Sequence, residues 1–87
     1  MATLSRELCP HYAATPVTVT VQDSRCAECG LEAPTRVCMS CGHVGCCEST
    51  NGHATAHARE SSHPIIRSLP LAPSSFIWCY GCNAYLK

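Results

Sequence analysis

Cysteine and histidine are concentrated in this chain to a degree that few folds accommodate. The 87 residues include nine cysteines and five histidines, and residues 38–57 read CMSCGHVGCCESTNGHATAH. A Cys-x-x-Cys step occurs three times, at Cys26/Cys29, Cys38/Cys41 and Cys79/Cys82. This spacing lets two thiolates close on one tetrahedral ion. The pattern therefore predicts a domain held together by zinc.

A disulfide framework is the alternative that the cysteine count raises. The number of cysteines is odd, five histidines accompany them, and the N-terminus shows no charged segment followed by an apolar one that would direct secretion. Thiols in a reducing compartment bind metal rather than pairing with one another. We therefore expect structural Zn²⁺ in a cytoplasmic protein.

The chain is too short to bury a large core. Its 46% hydrophobic content includes the nine cysteines, so burial alone leaves a thin margin over conformational entropy. We expect a small α+β domain stabilised by zinc, with a short antiparallel sheet and one or two helices. The domain is expected at 9–87, after a flexible lead-in at 1–8.

Local patterns predict the elements of this domain. Residues 16–22 alternate β-branched and polar residues, which predicts a strand with three valines facing inward, Val17, Val19 and Val21. Residues 51–61 predict a helix with Asn51 as its N-cap. Further short strands are expected within 35–42, 63–71 and 75–82.

Charge and hydropathy disfavour two classes of partner. The formal net charge is zero, so the chain lacks the basic surface that neutralises nucleic-acid phosphates. It also has no apolar run near the roughly 20 residues that cross a bilayer. We expect a monomer whose partner is a protein or peptide, not a nucleic acid or a membrane.

Spacing alone leaves the metal pairing open. Nine cysteines and five histidines give fourteen candidate ligands, more than three tetrahedral ions would use. His53 and His57 stand four residues apart and would share one helix face, which favours a single ion between them. The spacing does not say which knuckle pairs with which histidine.

Several motifs together resemble the UBP-type zinc finger of ubiquitin-specific proteases and of one cytoplasmic histone deacetylase. They are CPH at residue 9, two Cys-x-x-Cys knuckles, CGHVGC, HATAH, SHPI and WCYGC, and they extend from Cys9 to about Tyr85. The GCCES…HATAH form is most similar to small stand-alone prokaryotic members. The resemblance implies that family's fold and three interleaved structural zinc ions.

The same resemblance implies the ligands of each ion. The three sets are Cys9, His11, Cys79 and Cys82; Cys26, Cys29, Cys46 and His53; and Cys38, Cys41, His57 and His63. On this scheme the two histidines four residues apart serve neighbouring ions. Each ion has four protein ligands, which leaves no position for a catalytic water.

Two candidate ligands are left over, His43 and Cys47. We expect His43 to be a solvated turn residue, and Cys47 to be a small packed residue rather than a thiol activated by nearby zinc. Catalysis is not favoured. HATAH lacks the glutamate of zinc proteases, since its second residue is Ala54, and no oxyanion-hole sequence accompanies a Cys47–His43 pair.

Four aromatic residues crowd into the C-terminal segment, Phe76, Trp78, Tyr80 and Tyr85. Alternation along a strand would turn the first three away from a zinc-facing Cys79. These rings either cover the small core or form a recognition surface. The resemblance favours recognition, because Trp78, Tyr80 and Tyr85 match positions that line the pocket for the C-terminal Gly-Gly of ubiquitin in ubiquitin-binding members.

Glu48 departs from that family pattern. The family places an arginine for the terminal carboxylate directly after a Cys-Gly step, where this chain has Cys46-Cys47-Glu48. A glutamate there repels an incoming carboxylate and removes a bidentate contact. Compensation would require another cation, and Arg59 and Arg67 are the candidates.

Three functions stay open on the sequence. The favoured one is a non-catalytic zinc-binding protein-interaction module that takes a peptide or protein tail beside Trp78 and Tyr80, with Glu48 selecting a non-anionic or basic ligand. The second is binding of the ubiquitin C-terminal Gly-Gly despite Glu48. The third is a zinc–thiolate redox or metal-buffering protein that uses a labile thiolate such as Cys47.

Overall fold

A six-stranded mixed sheet organises the fold. The computed structural model describes residues 2–16 and 18–87. The strands are β1 (Thr3–Leu4), β2 (Thr35–Cys38), β3 (Val44–Cys46), β4 (Ile65–Ser68), β5 (Ile77–Cys79) and β6 (Ala84–Leu86). The helices are α1 (Pro10–Ala13) and α2 (His53–Ser61), and a 3₁₀ turn spans Arg6–Leu8. The expected small α+β class is confirmed.

The strands follow the spatial order β1-β6-β5-β4-β2-β3. Neighbouring strands run antiparallel except β1 and β6, which are parallel. Since β2 lies between β3 and β4, the sheet brings the central knuckles next to the C-terminal hairpin. Among the described residues, no helix has the length and apolar character needed to cross a bilayer.

The N-terminal residues take part in the sheet. Thr3 and Leu4 pair with Tyr85 and Leu86, and the backbone amide of Arg6 donates a 3.0 Å hydrogen bond to a carbonyl oxygen in the last residue of the chain. The segment that the sequence assigned to a lead-in thus supplies an edge strand. The sequence pattern gave no sign of it, because a strand of two residues has no readable periodicity.

The strand expected at 16–22 is wrong in its described part. Residues 18–22 form no strand, although Val19 and Val21 still pack half-buried against the core. Val17 lies outside the described residues. Alternation identifies side chains that face the core, but a strand also needs a backbone partner, and the described residues 18–22 pair with no strand.

Helix α2 begins two residues later than its expected cap. Gly52 occupies the N-cap position with φ of 69°, and the cap makes no side-chain hydrogen bond. The side chain of Asn51 instead donates to the sulfur of Cys29 at 3.5 Å. A residue expected to cap the helix therefore binds a candidate metal ligand.

The two faces of the sheet have different roles. Residues directly opposite in antiparallel strands share a face, so Val37, Arg67 and Ile77 lie on one side, here called the core face. It carries the buried cluster that includes Ile65 and Leu86. The other side is the groove face, which carries Arg36, Ile66, Trp78 and Tyr85.

Helix α2 packs closely on the groove face at Gly45. A Cβ atom built on Gly45 would lie 2.4 Å from the backbone nitrogen of Ala54 and 2.6 Å from its Cα. Only a glycine permits this approach between strand and helix. The contact fixes where α2 presents its two histidines.

Candidate metal centres and binding groove

Twelve cysteines and histidines gather into three clusters of four. Their members are Cys9, His11, Cys79 and Cys82; Cys26, Cys29, Cys46 and His53; and Cys38, Cys41, His57 and His63. Within each cluster the four donor atoms lie within 4.8 Å of one another. The grouping has the membership that the family resemblance implies.

The first cluster joins the two ends of the chain. Cys9 and His11 flank the start of α1, while Cys79 ends β5 and Cys82 lies in the turn before β6. The Nδ1 atom of His11 lies 3.4 Å from the sulfur of Cys79 and 3.5 Å from that of Cys82. The sulfurs of Cys9 and Cys82 are 3.5 Å apart. This cluster ties the N-terminal segment to the C-terminal hairpin.

The other two clusters share helix α2. The Nδ1 atom of His53 lies 3.4 Å from the sulfurs of both Cys26 and Cys46. One turn later, the Nε2 atom of His57 lies 3.3 Å from the sulfur of Cys41. The expectation from spacing alone, a single ion between the two histidines, is therefore wrong. The two histidines belong to different clusters because His53 contacts the knuckle of Cys26 and His57 contacts the knuckle of Cys41.

Both central knuckles have the same backbone turn. The amide of Gly30 donates to the carbonyl of Cys26 at 2.9 Å, and the amide of Gly42 donates to the carbonyl of Cys38 at 2.8 Å. Both glycines have positive φ, 76° and 83°. This conformation is open to glycine at little cost, and it turns the two thiols of each knuckle toward one point.

The donor spacing fits tetrahedral zinc. With Zn–S bonds of about 2.3 Å and Zn–N bonds of about 2.0 Å, a tetrahedral site separates sulfur from nitrogen by about 3.5 Å and sulfur from sulfur by about 3.8 Å. The sulfur–nitrogen contacts in the clusters include distances from 3.3 to 3.9 Å, and all donor atoms of a cluster lie within 4.8 Å of one another. Thiolate and imidazole together are also the donor set that zinc prefers. The clusters and the zinc chemistry therefore agree.

Packed thiols explain why a cation belongs in the first cluster. Burial and the neighbouring thiols raise the pKa of Cys79 to about 12. Against the effect of burial, the backbone amide of Tyr12 lowers the pKa of Cys9 to about 7. The Cys9 thiol thus loses its proton readily. A second thiolate beside it, such as that of Cys79, requires a positive counter-charge. A divalent cation supplies that charge.

The second cluster is prepared for a metal by hydrogen bonds. Burial disfavours the Cys46 thiolate, but the backbone amide of His53 and the hydroxyl of Thr50 more than offset it, and the pKa of Cys46 falls to about 6. This thiol is largely deprotonated at neutral pH. The loop after β3 and the first turn of α2 therefore favour the thiolate form that zinc binds.

His43 packs against the third cluster. Its ring stacks on that of His57, with centroids 4.0 Å apart and planes 7° apart, and its Nε2 lies 3.0 Å from a carboxylate oxygen of Glu28. The expectation of a solvated turn residue is therefore wrong. Since His43 follows Cys41 by two residues, the sequence could have predicted that it lies near the third cluster. Its stacking on His57 could not be predicted without the position of α2.

The four C-terminal aromatic residues form one cluster on the groove face. Trp78 contacts Tyr85 edge-to-face, with centroids 4.9 Å apart, and Phe76 contacts Tyr85 in the same way at 5.1 Å. The alternation expected along β5 is confirmed, since Ile77 and Cys79 are buried while Trp78 is half-buried. The rings leave part of their surface open beside α2.

Two cavities meet at these rings. One, of about 150 Å³, is bordered by Arg36, Cys47, Glu48, Ile66 and the four aromatic residues. The other, of about 650 Å³, extends past Trp78 and Tyr80 toward Arg59 and Asn83. Glu48, Trp78 and Tyr80 border both. We call this continuous depression the tail groove.

Arg36 is the cation that the sequence analysis missed. Its guanidinium lies over the Phe76 ring at 4.8 Å, and its Nη2 donates to the sulfur of Cys47 at 3.4 Å. Of the two arginines considered earlier, Arg59 borders the groove but Arg67 emerges on the core face. A charged residue inside the otherwise uncharged strand β2 was the available signal. Its meaning depended on the strand order.

Tyr80 is anchored to the helix. Its hydroxyl and that of Thr55 form a 3.1 Å hydrogen bond. Burial, and then the nearby charge of Glu48, raise the pKa of Tyr80, so the phenol stays protonated at neutral pH. The bond holds the groove wall in place between α2 and β5.

Cys47 lies outside the three clusters. It is half-buried at the groove wall and accepts hydrogen bonds from Arg36 and from the hydroxyl of Ser49. The expectation of a small packed residue agrees with this position. Its sulfur also orients the guanidinium of Arg36.

Comparison with known proteins gives a family match. The family described as "Zn-finger in ubiquitin-hydrolases and other protein" matches residues 26–87. The chain is 40% identical over 63 residues to NAD-dependent deacetylase sir2A of Dictyostelium discoideum, covering 72% of this chain and 12% of that protein. It is 31% identical over 80 residues to human BRCA1-associated protein, covering 90% and 13%. Ubiquitin carboxyl-terminal hydrolase 44 of Ailuropoda melanoleuca is 32% identical over 65 residues, covering 75% and 9%.

A solved structure shows the same architecture. The solution NMR structure of protein RPA1320 from Rhodopseudomonas palustris superposes with a TM-score of 0.77 at 37% identity, covering 91% of this chain and 80% of that one. The chain spans only 9% to 13% of the length of the curated relatives above. The likeness to them is therefore a likeness to one region of each.

Proposed function

This chain belongs to the UBP-type zinc-finger family, and from that premise we propose that it is a non-catalytic module which binds the tail of a partner protein in the tail groove. Zinc holds the fold, and the groove face supplies recognition. The observation that carries the proposal is the aromatic cavity beside α2, which has Arg36 and Glu48 on its wall. The proposal places the protein in the cytoplasm, where thiolates stay reduced.

Three structural zinc ions are part of the proposal. Each cluster offers four donors, so a tetrahedral ion would be fully coordinated by protein. A catalytic zinc keeps a position for water, and these sets provide no such vacancy. Ions of this kind contribute free energy on the order of 10 kcal/mol each to folding, more than the small core supplies.

The groove suits an extended main chain with small side chains. Trp78, Tyr80 and Tyr85 present ring faces and edges that pack against a flexible segment at little cost in their own conformational entropy. The smaller cavity, about 150 Å³, holds only a few heavy atoms. A tail that ends in glycine fits such a space, because glycine adds no side chain.

Two charges define which tail fits. Arg36 is held in place by the ring of Phe76 and the sulfur of Cys47, so it meets a terminal carboxylate with little loss of conformational freedom. Glu48, at the rim of the same cavity, repels acidic side chains and favours a neutral or basic residue just before the terminus. The proposed ligand is therefore a free C-terminal tail with a small terminus and no acidic neighbour.

The alternative ligand is the C-terminal Gly-Gly of ubiquitin. The family description and the hydrolase relative favour it. This chain departs from the ubiquitin-binding members of the family at one position of the pocket. The arginine that follows their Cys-Gly step is Glu48 here. Arg36 would have to hold the ubiquitin carboxylate from the opposite wall.

An NMR titration of the zinc-loaded protein tests the proposal. Two peptides share one sequence and end in a free carboxylate or a C-terminal amide, and a third has a basic residue placed just before a free terminus. We expect the indole signal of Trp78 to shift with both free-acid peptides, and amidation to weaken binding about tenfold, as expected when a hydrogen bond to a charged group is lost. No shift of Trp78 with any peptide would overturn the proposal.

Charge variants separate the two candidate ligands. Arg36→Ala should remove the preference for a free carboxylate, whereas Arg25→Ala is a matched control, since Arg25 is exposed and paired with Asp23. Glu48→Arg should sharply raise affinity for a Gly-Gly carboxylate. If the unaltered protein already binds ubiquitin tightly and Glu48→Arg changes little, Glu48 has no selecting role and the ubiquitin alternative is correct.

A further inference from the structure

A second polar cavity lies on the core face, across the sheet from the tail groove. Its volume is about 320 Å³, and its polar lining includes Arg6, Tyr12, Arg67 and Ser75. Met39 and Ile77 form the apolar part of the lining. None of these residues belongs to a metal cluster, and none borders the tail groove.

Arg67 reaches this cavity from the centre of the sheet. It pairs with Val37 on one side and Ile77 on the other, both buried. Its Nη2 donates to the carbonyl oxygen of Ala72 at 3.2 Å. Its Nε is buried and has no hydrogen-bond partner within residues 2–16 and 18–87. The sequence thus places a half-buried cation with incomplete hydrogen bonding in the middle of the core face.

Arg6 reaches the cavity from the 3₁₀ turn. Its Nε donates to the carbonyl oxygen of Lys87 at 3.2 Å, and its Nη1 donates to the hydroxyl of Tyr12 at 3.4 Å. Its guanidinium also lies 5.5 Å from the centre of the Tyr12 ring. These contacts orient the guanidinium but leave Nη2 donors free for a ligand. The Tyr12 hydroxyl, which accepts from Arg6, can still donate its own proton.

Within residues 2–16 and 18–87, no acidic side chain balances the two cations of this cavity. Across the described ranges, the ion pairs are Arg25–Asp23 and His43–Glu28, and neither Arg6 nor Arg67 takes part. No acidic side chain of those ranges lines the cavity. Two guanidinium groups that share one partly enclosed space repel each other unless an anion lies between them.

We propose that this cavity is an oxyanion site, in which Arg6 and Arg67 bind a phosphate group and the Tyr12 hydroxyl donates a further hydrogen bond. Guanidinium donors match the geometry of phosphate oxygens, and a charge-assisted contact is the strongest hydrogen bond available there. A volume of about 320 Å³ accepts inorganic phosphate and also a phosphate monoester with a small substituent. The site is separate from the tail groove, so either can fail without the other.

Titration of the zinc-loaded protein with anions tests the site. NMR signals of the Arg67 side-chain Nε–H and of the Tyr12 ring are followed while inorganic phosphate, or phosphoserine as a monoester, is added at constant ionic strength, with chloride as the balancing salt. We expect saturable shifts at both residues with at least one of the two phosphates. Response to only one identifies the source as free phosphate or monoester.

Variants make the outcome decisive. Arg67→Gln and Arg6→Gln should each weaken phosphate binding about tenfold or more, while Arg25→Gln leaves it unchanged. Should Arg67→Gln fail to fold, Arg6→Gln serves alone, because Arg6 is exposed and outside the core. Shifts that do not saturate, that chloride reproduces, or that survive both arginine variants would overturn the site.

Discussion

The substitution Gly45→Ala tests the close contact between strand β3 and helix α2, which positions the ligands of the second metal cluster. Its φ lies outside the left-handed region, so alanine is compatible with the backbone there. The effect of the substitution is therefore steric. The added Cβ would lie 2.4 Å from the nitrogen and 2.6 Å from the Cα of Ala54, where 3.4 Å or more is ordinary contact.

The size of the displacement follows from these distances. Strand β3 and helix α2 must separate by about 1 Å, the difference between 3.4 and 2.4 Å. Cys46 follows Gly45 directly and His53 precedes Ala54, so the same movement pulls apart donor atoms that now lie 3.4 Å apart. Metal–ligand distances tolerate only about 0.2 Å. The zinc of the second cluster would lose one ligand or force the helix to tilt.

The energetic cost is at the upper end for overpacking, about 3 kcal/mol, because the contacted atoms are helix backbone rather than a flexible side chain. For a domain of this size that lowers the melting temperature by roughly 12 to 24 °C. It also weakens one zinc site by a factor on the order of 10², at 1.4 kcal/mol per tenfold.

Thermal unfolding and competition with a chromogenic chelator measure both effects. Gly30→Ala is the matched control, since Gly30 directly follows the cluster residue Cys29, has φ of 76° and faces open space. It should cost only about 1–2 kcal/mol through backbone strain. If Gly45→Ala melts within 2 °C of the unaltered protein and keeps all its zinc, the close packing of β3 on α2 is refuted.

Three further variants test other contacts. His43→Ala should weaken zinc at the third cluster about tenfold, because its ring stacks on His57; unchanged retention against a chelator would contradict that supporting role. Tyr80→Phe should cost about 1 kcal/mol through the lost bond to Thr55, and an equal melting temperature would show that the bond is not formed in solution. Cys47→Ser should leave the zinc count in native mass spectrometry unchanged, whereas loss of an ion would make Cys47 a ligand.

Elements with a strong local pattern could be predicted from the sequence. Strands β4 and β5 and helix α2 lie where periodicity and turn residues place them, and the alternation of Ile77, Trp78 and Cys79 assigned their faces correctly. Patterns of this kind depend on a few neighbouring residues. Residues 18–22 have the same alternation but pair with no strand, so the expected strand is absent from the described part of that segment.

Features that depend on distant parts of the chain could not be predicted this way. The first cluster joins residues about seventy positions apart, and spacing alone offered many ways to divide fourteen candidates among three ions. Family resemblance supplied that division. It did not supply the parallel pairing of β1 with β6, which lies largely outside the matching motifs. His43 is inside the CGHVGC motif, but its stacking on His57 depends on where α2 lies.

Arg36 shows how the fold changes the interpretation of a missing residue. Sequence reasoning placed the groove's cation at position 48, found glutamate there, and concluded that the anion clamp was absent. The register of β2 against β4, and of β4 against β5, puts Arg36 on the same face as Trp78, and both Arg36 and Glu48 border one cavity. A pocket needs a charged group at one position in space, and residues on more than one strand can place a side chain there. Since the guanidinium is already braced by Phe76 and Cys47, moving the positive charge to β2 leaves position 48 able to carry the opposite charge. Under the proposed function, this arrangement of charges would accept the end of a tail and disfavour acidic residues just before it.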